Sequence, residues 1–298
     1  MIDLEFVILF FFPIVIGSLG NVSLLCHSIF CYFSGCRSRF TDVMLRHLTV
    51  ANSLYILSRG IPETMAALGM ENVLNNVECK LVFYVHRVSR GVSFSTTCPL
   101  SVFQAITISP RSSRWAEWKV KALKCIGPCP IICWVLHMLL NIRVPMLVSD
   151  RKNNKNITNT IDFQFCSAMS PDKDKHSIFV ALTLSYDILC STLMIWSSGS
   201  MVFMLYRHKQ QTEHIHRYNI SSRSSAETRA SQSIPILVCA FVSIYALSSI
   251  MYVWFSLYNT AVWWLVKTAA LTDVCFSAAS PFILMTREQC VSRPLWKR

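Results

Sequence analysis

Apolar residues in this chain come in long blocks separated by short polar stretches. Seven blocks reach the ~20 residues that a helix needs to cross a hydrocarbon core of about 30 Å. They lie near 6–33, 43–69, 79–107, 125–148, 177–206, 234–258 and 261–285, the last two divided by a polar hinge at Asn259-Thr260. None alternates with the period of two that a barrel strand requires, and in lipid a helix satisfies its own backbone groups. The pattern predicts an all-α membrane protein: a single domain over 1–298 built as a seven-transmembrane helix bundle, with 286–298 as a short tail. The chain has no internal repeat.

Composition supports that reading. Charged residues are 15% and apolar residues 53%, where a soluble domain carries about 25% charge. Mean hydropathy is +0.42.

The distribution of Lys and Arg orients the bundle. One side collects Arg37, Arg39, Arg46, Arg111, Arg114, Lys119, Lys121 and Lys124, then Arg207, Lys209, Arg217, Arg223, Arg229 and the tail cations. The other side has Lys80, Arg151, Lys152, Lys155, Lys173 and Lys175. The richer side is expected in the cytosol, which puts the N-terminus outside. Asp3 and Glu5 differ from the positive start of a cleaved signal peptide, so the first block reads as a retained helix. The net charge of +12 then reflects topology and attraction to anionic lipid on the inner leaflet; nucleic-acid binding is not expected.

Of thirteen cysteines, only Cys79 and Cys166 fall at the outer face, where disulfides persist. A bridge between them would tie the third helix to the second outer loop; the alternative is two free thiols. Topology filters the three N-x-S/T sequons in the same way. Asn21 lies inside a span and Asn219 on the cytosolic side, leaving Asn156 as the expected glycosylation site.

The third block carries His86, Arg87 and Arg90. A guanidinium near the bilayer centre costs at least ~2.5–3.5 kcal/mol, so it must be paired, hydrated or used. Helical rise puts Arg87 ~12 Å and Arg90 ~16 Å below Cys79, and the i,i+3 and i,i+4 spacings put all three on one flank. Arg59, Glu63, Asp187, Lys267 and Asp273 lie in other blocks, while Arg143 is near enough to an end to snorkel. Two readings stand side by side. Interhelical ion pairs, Arg90 with Asp187 or Glu63 for example, hold the bundle together; or Arg87 and Arg90 face a wet outer cavity and meet a polar or anionic ligand. Phe83, Phe94, Tyr252 and Trp254 are the aromatic candidates for such a pocket. Trp263 and Trp264 suit an interfacial belt.

Several strings narrow the class. Gly20-Asn21 stands in the first helix. The second has Ala51-Asn52-Ser53-Leu54, then Ser58-Arg59-Gly60-Ile61-Pro62-Glu63-Thr64-Met65. The third runs from Cys79-Lys80-Leu81 through His86-Arg87-Val88-Ser89-Arg90-Gly91 to Phe103-Gln104-Ala105 and Ser109-Pro110, with Ser113-Arg114-Trp115 beyond it. With Ser280-Pro281-Phe282 near the end, nearly the whole chain resembles the vomeronasal type-1 receptors, a family of pheromone receptors coupled to G proteins. The resemblance implies a multi-pass plasma-membrane receptor for a small pheromone-like molecule. It also implies a heterotrimeric G protein of the Gi or Go type as partner, with Arg111, Arg114 and Lys119 on the coupling side.

The chain departs from the wider rhodopsin-like receptors. Phe103-Gln104-Ala105 lies where they have Asp-Arg-Tyr, and Asn52 stands where an acidic sodium ligand is expected. Nothing has the spacing of a catalytic set, a metal site or a cofactor motif, and His208, His214 and His216 read as solvated loop residues. Neither an enzyme nor a cofactor is expected. A bitter-taste-type receptor is the alternative within the class; a membrane transporter or channel is the alternative outside it.

Overall fold

The computed structural model describes residues 4–34, 40–70, 74–108, 128–149, 160–162, 165–169, 173–215, 243, 246–247, 250–251 and 267–280. Helix α1 (Leu4–Phe33) presents Phe11, Phe12, Leu19 and Phe30 outward, as an apolar helix in lipid does. The second block is one arm in three parts: α2 (Phe40–Tyr55), a π-helical turn (Ile56–Gly60) and α3 (Ile61–Ala67). Pro62 explains the wide turn. It has no N–H to give, and its ring crowds the carbonyl one turn back, so the ladder opens just before it. Gly60 lets α1 pack against this turn, since a Cβ there would stand 2.5 Å from Ile14 Cγ1.

Helix α4 (Asn76–Ile108) has 33 residues, about 50 Å at helical rise. Its start is fixed by a reciprocal cap. The Asn75 side chain accepts from the Glu78 N–H at 2.9 Å, and Glu78 accepts from the Asn75 N–H at 2.8 Å; two otherwise orphaned donors are satisfied. α4 is the central helix, packed against α2, α5 (Cys129–Leu140) and α7 (Lys173–Ile215). Gly91 permits the contact with α5, because a Cβ would lie 2.2 Å from His137 Nδ1.

After α5 come the short α6 (Val144–Leu147) and a three-stranded antiparallel sheet of order β1-β3-β2. Its strands are β1 (Val148–Ser149), β2 (Thr160–Asp162) and β3 (Ser167–Met169), with Val148 and Ile161 both opposite Ala168. The described fold is mostly helical, as expected, with this small sheet added. Strands of two or three residues are too short to leave a period in the sequence. The Cys79–Cys166 disulfide pins this sheet to the top of α4, with a Cα–Cα distance of 5.9 Å. Around it Phe83, Val148 and Phe165 form a buried cluster.

Residues 267–280 form a last described helix, α8. Three helices among the described residues are long and apolar enough to cross a membrane: Val7–Phe30, Cys129–Leu147 and Ile178–Met204. The α2–α3 arm and α4 have the length but spend it on charged side chains. Of the predicted positions, Asn156, Tyr252, Trp254, Trp263, Trp264, Arg111, Arg114 and Lys119, and the whole 286–298 tail, lie outside the described residues.

Candidate ligand site

The buried charges converge on α3, α4 and α8. Arg59, in the π turn, reaches Glu63 one turn on, Nη2 to Oε1 2.8 Å. Lys267 Nζ comes from α8 to the other oxygen of the same carboxylate. All three side chains are more than nine-tenths buried. Glu63 lies four residues before the end of α3, about 6 Å below the disulfide end of the bundle.

Deeper, Arg90 Nε donates to Asp273 Oδ2 at 3.1 Å, tying α4 to α8. The acids expected for Arg90 were Asp187 or Glu63; the structure puts Asp273 there, while Glu63 holds Arg59 and Lys267. Asp187 is buried on α7. Arg87 points to the exposed surface while His86 and Arg90 turn inward, so these three residues of α4 do not share one wall. Spacing of i,i+3 brings side chains near each other but spreads them over an arc of the helix, and the bundle edge runs through that arc.

His86 is buried and lies 5.0 Å from the Tyr55 ring, centroid to centroid. Phe83 packs on Phe165 under the disulfide, and Phe94 joins Cys98, Cys190, Met194 and Phe276 in the core. These two aromatics are thus packing residues in this conformation. Beside the Arg90–Asp273 pair, Tyr55, Arg90, Ser93, Asp273, Phe276 and Ser277 line a small, partly open cavity with about 10 Å³ of room, enough for roughly one water. The pair lines this cavity itself.

Below the pair, neutral groups replace ions. Asn52 donates to Ser280 Oγ and accepts from Ser93 Oγ, joining α2, α8 and α4. Asn21 donates to the Ser277 carbonyl at 3.3 Å, bringing in α1. On the other side of α4, Ser95 Oγ lies 2.6 Å from His137 Nε2 and accepts from the Tyr186 hydroxyl at 2.9 Å, linking α5 and α7. Sequence reasoning passed over Ser95, His137 and Tyr186. A lone histidine inside the apolar run Cys129–Leu140 was the available signal, because an intramembrane polar residue faces the bundle and a partner.

Long apolar helices around a buried ionic core, closed at one end by a disulfide-pinned loop, define a helical membrane protein of receptor build. The chain matches the model of the vomeronasal organ pheromone receptor family over residues 4–297. It is 52% identical over 282 residues to vomeronasal type-1 receptor 2 of Homo sapiens, covering 95% of this chain and 71% of that protein. With vomeronasal type-1 receptor 4 of Homo sapiens it shares 48% over 286 residues, 95% of both chains. Vomeronasal type-1 receptor 90 of Rattus norvegicus is 31% identical over 239 residues, 80% of this chain and 77% of its own. The chain belongs to the vomeronasal type-1 receptor family, a family of chemosensory receptors and not of enzymes.

Proposed function

We propose that the protein is a seven-span plasma-membrane receptor with its N-terminus outside, binding a small pheromone-like molecule at the disulfide end and activating a heterotrimeric G protein. The observation that carries this reading is the ionic core about 6 Å below that end, built from three different segments with Arg90–Asp273 deeper. Such a core is costly as a mere fastener, since apolar residues of equal volume hold helices together as well or better. As a recognition device it is suited to a ligand with an apolar body and a polar or anionic head.

A ligand that binds more tightly to one arrangement of α8 against α3 and α4 shifts the receptor toward it; affinity alone shifts nothing. The G protein is of the Gi or Go type and meets the loops 108–124 and 207–232. At least one of Arg90, turned inward, and Arg87, exposed at the edge of the bundle, contacts the ligand, with His86 beside Arg90. The test is G-protein activation by steroid-like and other volatile or urinary small molecules, with Arg87→Ala and Arg90→Ala receptors brought to the same surface level. An agonist response that weakens in these variants is expected. Unchanged potency in both removes the arginines from the site, and solute or ion flux without G-protein activation replaces the receptor by a transporter or channel.

A further inference from the structure

Glu63 serves two cations at once. Arg59, from its own arm, and Lys267, from α8, take one carboxylate oxygen each, yet a carboxylate brings a single negative charge. The side chains are 5%, 2% and 6% exposed for Arg59, Glu63 and Lys267, so water does little to spread that charge, and buried like charges side by side are costly. In the same third of the bundle His86, 4% exposed and packed on Tyr55, leaves Nδ1 without a hydrogen-bond partner. A buried polar atom without a partner calls for a missing one.

Resting on the reading of the chain as a small-molecule receptor, we infer that Lys267 is the subsite for an anionic group of the ligand, a carboxylate or sulfate. Glu63 keeps Arg59 when the ligand arrives, and the ligand takes Lys267. Glu63 then serves Arg59, and the ligand's anion serves Lys267. The tie between α3 and α8 is exchanged for a tie from α8 to the ligand, so the same step that fills the site frees the last helix from the second. Nothing in this exchange forms or breaks a covalent bond. His86 Nδ1 meets a polar atom of the ligand near its head.

The experiment measures binding of octanoate and of octanol to the purified receptor in phosphatidylcholine nanodiscs, subtracting partition into lipid-only discs. Wild type is expected to prefer octanoate. Lys267→Met loses that preference by about tenfold, the share of one charge-assisted hydrogen bond, while octanol binding stays level. Glu63→Gln, close to the native shape, removes the internal competitor and binds octanoate more tightly. Equal octanoate binding in wild type and Lys267→Met overturns the inference, as does weaker octanoate binding in Glu63→Gln. Should Lys267→Met not fold, Lys267→Gln takes its place. Discs doped with phosphatidylserine separate the two sources of an anionic head: loss of the octanoate preference there gives the site to lipid and overturns the ligand assignment. A preserved preference without G-protein activation by any ligand counts against the receptor reading and leaves the subsite standing.

Discussion

Arg90 and Asp273 are 183 residues apart in the chain and 3.1 Å apart in the fold. Their bond joins the central helix to the last one, and it lies deeper than the Arg59–Glu63–Lys267 cluster. Removing one partner strands the other in low dielectric, which for buried pairs costs about 3–5 kcal/mol. Arg90→Met and Asp273→Asn should each lower the melting temperature of the purified receptor in lipid. The double variant should recover part of the loss, because a pair replaced as a unit leaves no stranded charge. If the double variant loses the sum of the two singles, the residues do not act on each other.

Asn52 is a neutral joint where rhodopsin-like receptors have an acid. Asn52→Ala leaves the Ser93 and Ser280 hydroxyls without their shared partner, at a cost of about 1–3 kcal/mol. Ser93→Ala and Ser280→Ala should each cost less than Asn52→Ala, and neither should add to it in combination. Thermal denaturation of the five receptors checks the prediction; full additivity would separate the three residues.

Gly91→Ala drives a methyl group into the His137 ring. Overpacking of this kind costs about 1–3 kcal/mol, and the contact also carries the Ser95–Tyr186 link. The companion change His137→Ala opens room, so Gly91→Ala/His137→Ala should melt no lower than His137→Ala alone. Surface expression and melting temperature report both comparisons.

Cys79→Ser, Cys166→Ser and the double variant should be equally impaired, since each removes the same bridge. A native disulfide of this kind contributes about 2–5 kcal/mol. Binding at the disulfide end should suffer more than the packing of the inner half, which protease protection of the outer loop set against that of the inner helices would reveal.

The coupling side gives a functional prediction. Neutralising Arg111, Arg114 and Lys119 together, with surface expression preserved, should reduce agonist-driven G-protein activation and leave ligand binding in place. Full activation would take the three residues out of coupling.

Much of the helical frame was legible because hydrocarbon length and backbone satisfaction leave the sequence few choices. The starts and ends of α1 and α4 fall within a few residues of the expected spans. The Cys79–Cys166 pair was legible for a topological reason: of the thirteen cysteines only these two fall on the face expected to be outside. Partner choice among the charges was not. Arg90 could reach several acids by depth alone, and the facing of α8 brings Asp273 to it. Arg87 is exposed while Arg90 turns inward for a related reason: a three-residue spacing fixes nearness to Arg90 but not which of the two meets the edge of the bundle. The small sheet was invisible because strands of two or three residues leave no alternation to read, and β1 meets β3 across the intervening loop.

The π turn at Ile56–Gly60 has one more effect. Since Pro62 sets where the ladder widens, the outer segment Ile61–Ala67 carries its own phase relative to Phe40–Tyr55. Each residue of helix turns the chain by about 100°, so gaining or losing a single position there would re-aim Glu63 while Asn52 kept its partners. The arm therefore works as two parts on one shaft: a tip at the disulfide end whose aim the π turn sets, and a stem that Asn52 holds to its neighbours.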